Sequence, residues 1–214
     1  MADALSKQRV VAEAVHLADR EGTDGLSMRR LAEVLGAGAM SLYRHVANKD
    51  ELFDAMVDVV FGEIELPPEG LQWQSALRLQ AQSARRVLAR HPWAIRLLDS
   101  RTSPGPAHLR YREAVIACLR KAGFSPLTAT HANWVLDSYV YGFALQEVSL
   151  PLDTAERLTG MVEDVYLPQL PPDQFPYLNE SAVALAEAGY VPAEEFEFGL
   201  DLILETLERV RIAQ

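Results

Sequence analysis

Residues 22–55 read GTDGLSMRRLAEVLGAGAMSLYRHVANKDELFDA. Ser27 is a natural N-cap for a helix over about 28–35, and Gly36-Ala37-Gly38 breaks it with a tight turn. A short helix over about 39–46 follows. Asn48, with Glu51 three residues later, opens another over about 49–62 in the manner of a capping box. Two short helices around a tight turn, with a third directly behind, expose the second helix of the pair. That is the geometry with which a helix-turn-helix enters a DNA groove.

Working outward, the apolar pattern stays helical. Val11, Ala14, Val15 and Ala18 recur at i, i+3, i+4 and i+7 before Gly22 ends the first helix. Leu66-Pro67-Pro68-Glu69-Gly70 reads as a linker. Beyond it, helices are predicted over about 71–90, 93–99, 105–122 and 127–149. Residues 151–180 carry five prolines and read as a loop with one helical piece near 154–166. A short helix is predicted at about 181–188 and a last one at about 193–212. No segment alternates as a strand does. The expected fold is all-α. Residues 1–50 form a helix-turn-helix domain, residues 51–214 form a larger helical domain, and the helix over 49–62 connects them.

The net charge of −10 at first argues against nucleic acid, but its distribution matters more. Residues 1–50 hold seven Lys and Arg against seven Asp and Glu, whereas residues 51–214 hold thirteen against twenty-three. DNA contact is therefore expected only in the N-terminal unit, and the acidic body serves solubility. The lone Cys118 excludes an internal disulfide and fits a small buried side chain in a reducing cytoplasm. The N-terminus lacks the apolar core of a signal peptide, and no run reaches the roughly 20 apolar residues of a membrane span. The five histidines (His16, His45, His91, His108, His131) fall in no metal-binding spacing, so neither metal nor cofactor is expected. A helical enzyme would need a feature such as DDxxD, a P-loop or G-x-S-x-G, and none occurs.

Leu26, Leu31, Leu35, Leu42 and Val46 can lock the N-terminal helices, with Ala32 where they cross closely. The first turn of the recognition helix presents Ala39, Met40 and Ser41. Tyr43, His45 and Lys49, with Arg29 and Arg30 on the preceding helix, are placed for phosphates. Arg44 could read a guanine edge or hold a phosphate. Singly, each also fits an ordinary surface, packing or capping role; their joint spacing on one helix pair favours DNA.

At this point residues 6–55 resemble the DNA-binding region of the tetracycline-repressor (TetR) family of bacterial transcription regulators. The pattern Leu42-Tyr43-x-His45-Val46-x-Asn48-Lys49-x-x-Leu52 carries the likeness in register. The resemblance implies that Ser27 and Arg29 approach phosphates, that Ala39, Met40, Ser41, Tyr43, Arg44 and His45 line the recognition helix, and that Lys49 anchors a phosphate. Ala39 and Met40 depart from the polar or rigid side chains met there in the family. They cannot make bidentate base contacts, so apolar contact with thymine methyls is the expected mode.

The resemblance also implies a helical body that binds a small effector and pairs with a second copy, so that two reading heads meet a palindromic operator. The pairing helices would be 127–149 and 193–212; Phe196, Leu200, Ile203, Leu204, Leu207 and Val210 form a broad stripe on the latter, which Phe198 and Leu202 extend. A single intramolecular face needs less apolar surface than this. The effector is expected to be small and hydrophobic, lined by Tyr111, His131, Trp134 and Tyr141. The expected function is a repressor released by that effector. The alternative is a helical adaptor whose helix-turn-helix no longer binds DNA.

Overall fold

The computed structural model describes residues 5–98, 104–149, 155–189 and 191–213. Every regular element among them is helical. The Ser6 hydroxyl accepts from the Arg9 N–H at 3.2 Å and opens α1 (Lys7–Glu21). Ser27 accepts from the Arg30 N–H at 3.1 Å and opens α2 (Met28–Val34). Gly36 turns the chain at φ 62°, a conformation that costs glycine little. α3 is only Ala39–Leu42. The helix expected over 39–46 is thus shorter, because hydrogen-bonded turns (His45 N–H to Leu42 O, 2.8 Å) carry the chain on to Val46.

Asn48 then caps α4 (Lys49–Glu63), its side chain accepting from the Glu51 N–H at 2.8 Å. The Glu51 carboxylate reaches back to the Ala47 N–H at 2.6 Å and pairs with Lys7 at 2.6 Å, which ties α1 to the start of α4. α4 buries Leu52, Phe53, Met56, Val57, Val60 and Phe61. Such a set spans about half of its circumference, and α4 packs on both α1 and α7 (Pro106–Lys121). α5 (Trp73–Arg90) and α6 (Pro92–Leu98) complete this body with the first part of α8 (Pro126–Ser149).

The described residues fall into two compact units, one up to Tyr141 and the other Gly142–Ala213. Within the first unit α4 is shared by the helices on either side of it. In the second unit, the end of α8 and α11 (Pro192–Ile212) carry a Phe143–Phe196 edge contact at 5.2 Å. α9 (Ala155–Met161) runs into a π-turn over Val162–Tyr166 and a 3₁₀ turn over Leu167–Gln169. α10 (Pro176–Ala188) starts five residues before the helix expected at 181–188. Pro176 punctuates loops, but in a first helical turn its missing N–H has no partner to lose. No described helix is long and apolar enough to cross a membrane.

Candidate nucleic-acid interface

Leu42 and Val46 point inward and are fully buried, with Leu26, Leu31 and Ala32 from the neighbouring elements. This fixes the rotation of α3 and the turns behind it. The opposite side faces solvent. Met40 is 79% exposed and Tyr43 44%, and Arg44 and Lys49 are exposed; Ala39, Ser41 and His45 are half-buried at the edge. Lys49 Nζ lies 5.0 Å from the centre of the Phe53 ring. That contact holds the ammonium near the start of α4 while leaving its protons free for a phosphate.

Ser27 already uses its hydroxyl as the cap of α2 and remains exposed. Arg29 pairs with Glu33 at 3.2 Å, and its side chain is 89% exposed. Arg30 pairs with Glu21 at 3.1 Å and with Glu33 at 4.0 Å, tying α2 to the end of α1. Exposed pairs of this kind contribute at most about 1 kcal/mol, so phosphates can displace the carboxylates. Arg29 is the freer of the two; Arg30 also serves the α1–α2 corner.

α4 meets α7 through a polar contact and an aromatic contact. Asp58 Oδ1 accepts from the N–H groups of Ala107 and His108, at 2.8 and 3.0 Å, and so caps α7 from a neighbouring helix. A Cβ added at Gly105 would overlap the Asp58 carboxyl, so only glycine allows the approach. Phe61 stacks on His108 with ring centres 3.9 Å apart and meets Tyr111 edge-on at 5.3 Å. Burial first, and then the nearby Arg112, hold His108 below its ordinary pKa, which keeps the stacked imidazole neutral. Gly105→Ala is expected to push Asp58 aside and lose the cap, costing roughly 0.5–2 kcal/mol. Thermal unfolding would show a fall of about 2–4 °C per kcal/mol in a chain of this size. Adding Asp58→Ala to that variant should cost almost nothing more.

The four residues expected to line an effector pocket do not come together. Tyr111 is buried and donates to Asp137 Oδ1 at 3.1 Å, and Tyr141, half-buried, also bonds Asp137. His131 and Trp134 face outward instead, Trp134 being 56% exposed, with their rings 6.1 Å apart. The reason lies in α8, which turns its small residues Ala129, Ala132 and Ala144 inward along with Asn133, Leu136 and Val140. That face is the buried one, and the face with His131 and Trp134 is not. The residues that do gather around Tyr111 are Asp137, Asn133 and Gln80. Asn133 donates to Asp137 Oδ2 at 2.9 Å. The Gln80 amide faces the Tyr111 hydroxyl, and the Asn133 amide oxygen is buried without a partner. The Asp137 carboxyl, in this largely dry setting, is pushed up to about 6 by burial, against the donors around it and Arg112. Among the described residues no His, Cys, Asp or Glu group is arranged to hold a metal ion.

Comparison with known proteins agrees with this geometry. The description "Bacterial regulatory proteins, tetR family" matches residues 10–56, and "Tetracyclin repressor-like, C-terminal domain" matches residues 66–211. The chain belongs to the TetR family. It is a DNA-binding transcriptional regulator of that family. It is 36% identical to the HTH-type transcriptional repressor DrrR1 of Streptomyces coeruleorubidus, over 98% of this chain and 79% of that one. It is 32% identical to the class A tetracycline repressor from transposon 1721 of Escherichia coli, over 97% of this chain and 93% of that one. Among solved structures, ActR of Streptomyces coelicolor in complex with actinorhodin superposes with a TM-score of 0.80 at 33% identity, covering 97% of this chain and 99% of that one.

Proposed function

We propose that this TetR-family chain is a homodimeric, cytoplasmic repressor that occupies a palindromic operator and leaves it when a small molecule enters its body. The observation that carries the reading is the outward set Met40, Tyr43, Arg44 and Lys49, mounted on a short helix pair whose inner face is locked. A band-shift assay with the DNA upstream of the chain's own coding region tests it. Sequence-specific retardation at low salt is expected, and its absence overturns the reading.

Dimerisation is supported by apolar surface left uncovered in the second unit. Leu145 and Val148 on α8 and Phe198, Leu202, Val210 and Ile212 on α11 are exposed, Phe198 by 65%. Side chains of this kind in number mark an interface. Two half-sites one duplex turn apart, roughly 34 Å, need two heads held at a fixed separation. Leu202→Glu is expected to give monomers in sedimentation at micromolar concentration. Loss of the second head should weaken operator binding by at least about 100-fold.

The effector reading is supported by the buried cluster of Tyr111, Tyr141, Asp137, Asn133 and Gln80. Orphaned buried polar atoms cost free energy unless something pairs with them. A ligand that donates to the Asn133 amide oxygen would supply what is missing. His131 and Trp134 have no part in that cluster. ActR in complex with actinorhodin, and a glutamine-to-alanine variant of a TetR from Acinetobacter baumannii in complex with minocycline, support a small-molecule effector for this chain too. Tyr111 touches Phe61 of α4, so a shift at the cluster reaches the helix that carries the reading head. A cavity of about 460 Å³, bordered by Val11 and Ala12 of α1, Ala55 and Val59 of α4, and Pro106, leaves α4 room to tilt. Coupling of roughly 1–3 kcal/mol would change operator affinity about 5- to 150-fold.

A further inference from the structure

His91 lies just past the end of α5, buried, with both ring nitrogens facing carboxylates. Its Nδ1 is 2.7 Å from Asp19 Oδ1 on α1, and its Nε2 is 3.3 Å from Glu63 Oε2, on the last residue of α4. The same Asp19 oxygen accepts from Trp93 Nε1 of α6 at 2.7 Å. The same Glu63 oxygen accepts from Arg90 of α5 at 2.9 Å. These are the charged and polar groups that α1, α4, α5 and α6 turn toward the ring. An ionised carboxylate only accepts, so a ring that bonds both carboxylates through its nitrogens donates from both, as an imidazolium does. The position suits a cation: the His91 N–H closes the last turn of α5 on Val87 O at 3.1 Å, at the negative end of the helix dipole.

We infer that His91 is a positioning residue for operator binding: as an imidazolium bridging Asp19 and Glu63, it fixes the far end of α4 against α1 and so sets the angle of the reading head. Polar contacts hold α4 at its start, middle and end. Its start is held through Glu51 and Lys7, its middle through Asp58, and its end through Glu63. The last ties α4 to Arg90 and His91 at the α5–α6 corner and, through His91, to Asp19 of α1. Releasing it frees the end of α4 from α1 without touching any DNA-facing side chain. The inference rests on α4 being the helix that links reading head to body.

The test uses operator DNA and four full-length chains: parent, His91→Gln, Glu63→Gln and the double variant. Glutamine keeps a donor but turns a carbonyl oxygen toward one of the two carboxylates. His91→Gln is expected to bind operator about 10-fold more weakly, within the roughly 5- to 150-fold range of such couplings. Glu63→Gln in the same chain removes the opposed carboxylate and should restore most of that loss, which a merely structural role of His91 would not do. In the parent, nitrogen NMR of the His91 ring should show two protonated, near-equivalent nitrogens. Equal operator affinity in parent and His91→Gln, or a neutral ring in the parent, overturns the inference. If His91→Gln fails to fold, Glu63→Gln alone and the ring spectrum still decide: an unchanged affinity in the one or a neutral ring in the other is fatal. Absence of specific DNA binding by the parent would instead sink the proposed function.

Discussion

Tyr43→Ala and Lys49→Ala together are expected to remove sequence-specific operator binding while leaving the fold intact. Tyr43 is nearly half exposed and Lys49 packs only over Phe53, so neither supports the core. A charge-assisted contact contributes about 1.5–3 kcal/mol, and a symmetric dimer loses each contact twice. Lys49→Ala alone should therefore weaken binding by about 3–6 kcal/mol, roughly 10²- to 10⁴-fold. The salt dependence gives a second reading. Each neutralised phosphate contributes about 0.9 to the slope of log affinity against log salt, so two lost contacts should flatten it by about 1.8. Fluorescence anisotropy with labelled operator between about 50 and 200 mM salt measures both. An adaptor with a silent helix-turn-helix would show no change in either quantity, and that result would transfer the chain to the other class. Circular dichroism matching the parent would show that the loss comes from the surface.

The N-terminal unit was legible because its signals are local. Ser27, Asn48 and Gly36 each act within three or four residues of themselves, and the caps appear where those residue types require them. Leu42 and Val46 against Met40 and Tyr43 give α3 a clear inside and outside. α8 was different. Its apolar residues lie all round the helix, so periodicity could not choose a face, and the large aromatics drew the pocket reading to one that includes the exposed Trp134. The buried face is the one that carries Ala129, Ala132 and Ala144, and what covers it lies in other elements. The same limit hid Asp58, whose partners are the N–H groups of residues 49 and 50 positions further on. It also hid His91, which reads as one more scattered histidine until Asp19 and Glu63 are folded against it.

Asp137 should dominate the pH dependence of stability between about pH 4 and pH 6. Its carboxyl titrates near 6 in the folded chain, against about 3.9 for an unfolded aspartate. Across that interval the folded state retains a proton that the unfolded state has released. Stability therefore falls as pH rises, by about 3 kcal/mol over the whole window, and stays lower above it. Asp137→Asn removes the charge while keeping the shape, and its amide oxygen can still accept from Asn133. The variant should match the parent near pH 4, exceed it by about 3 kcal/mol at pH 7.5, and lose the slope between. In thermal unfolding that is roughly 6–12 °C at the higher pH. Stability and response should then part company. Tyr111 hangs between Asp137 and Phe61 of α4, so the carboxylate is the acid end of the path to the reading head. A neutral amide there should leave a more stable repressor that binds its operator as before and releases it less readily. An Asp137→Asn chain that is less stable than the parent at pH 7.5, with the slope unchanged, would show that the ionised carboxylate is instead a paired and favourable part of the core.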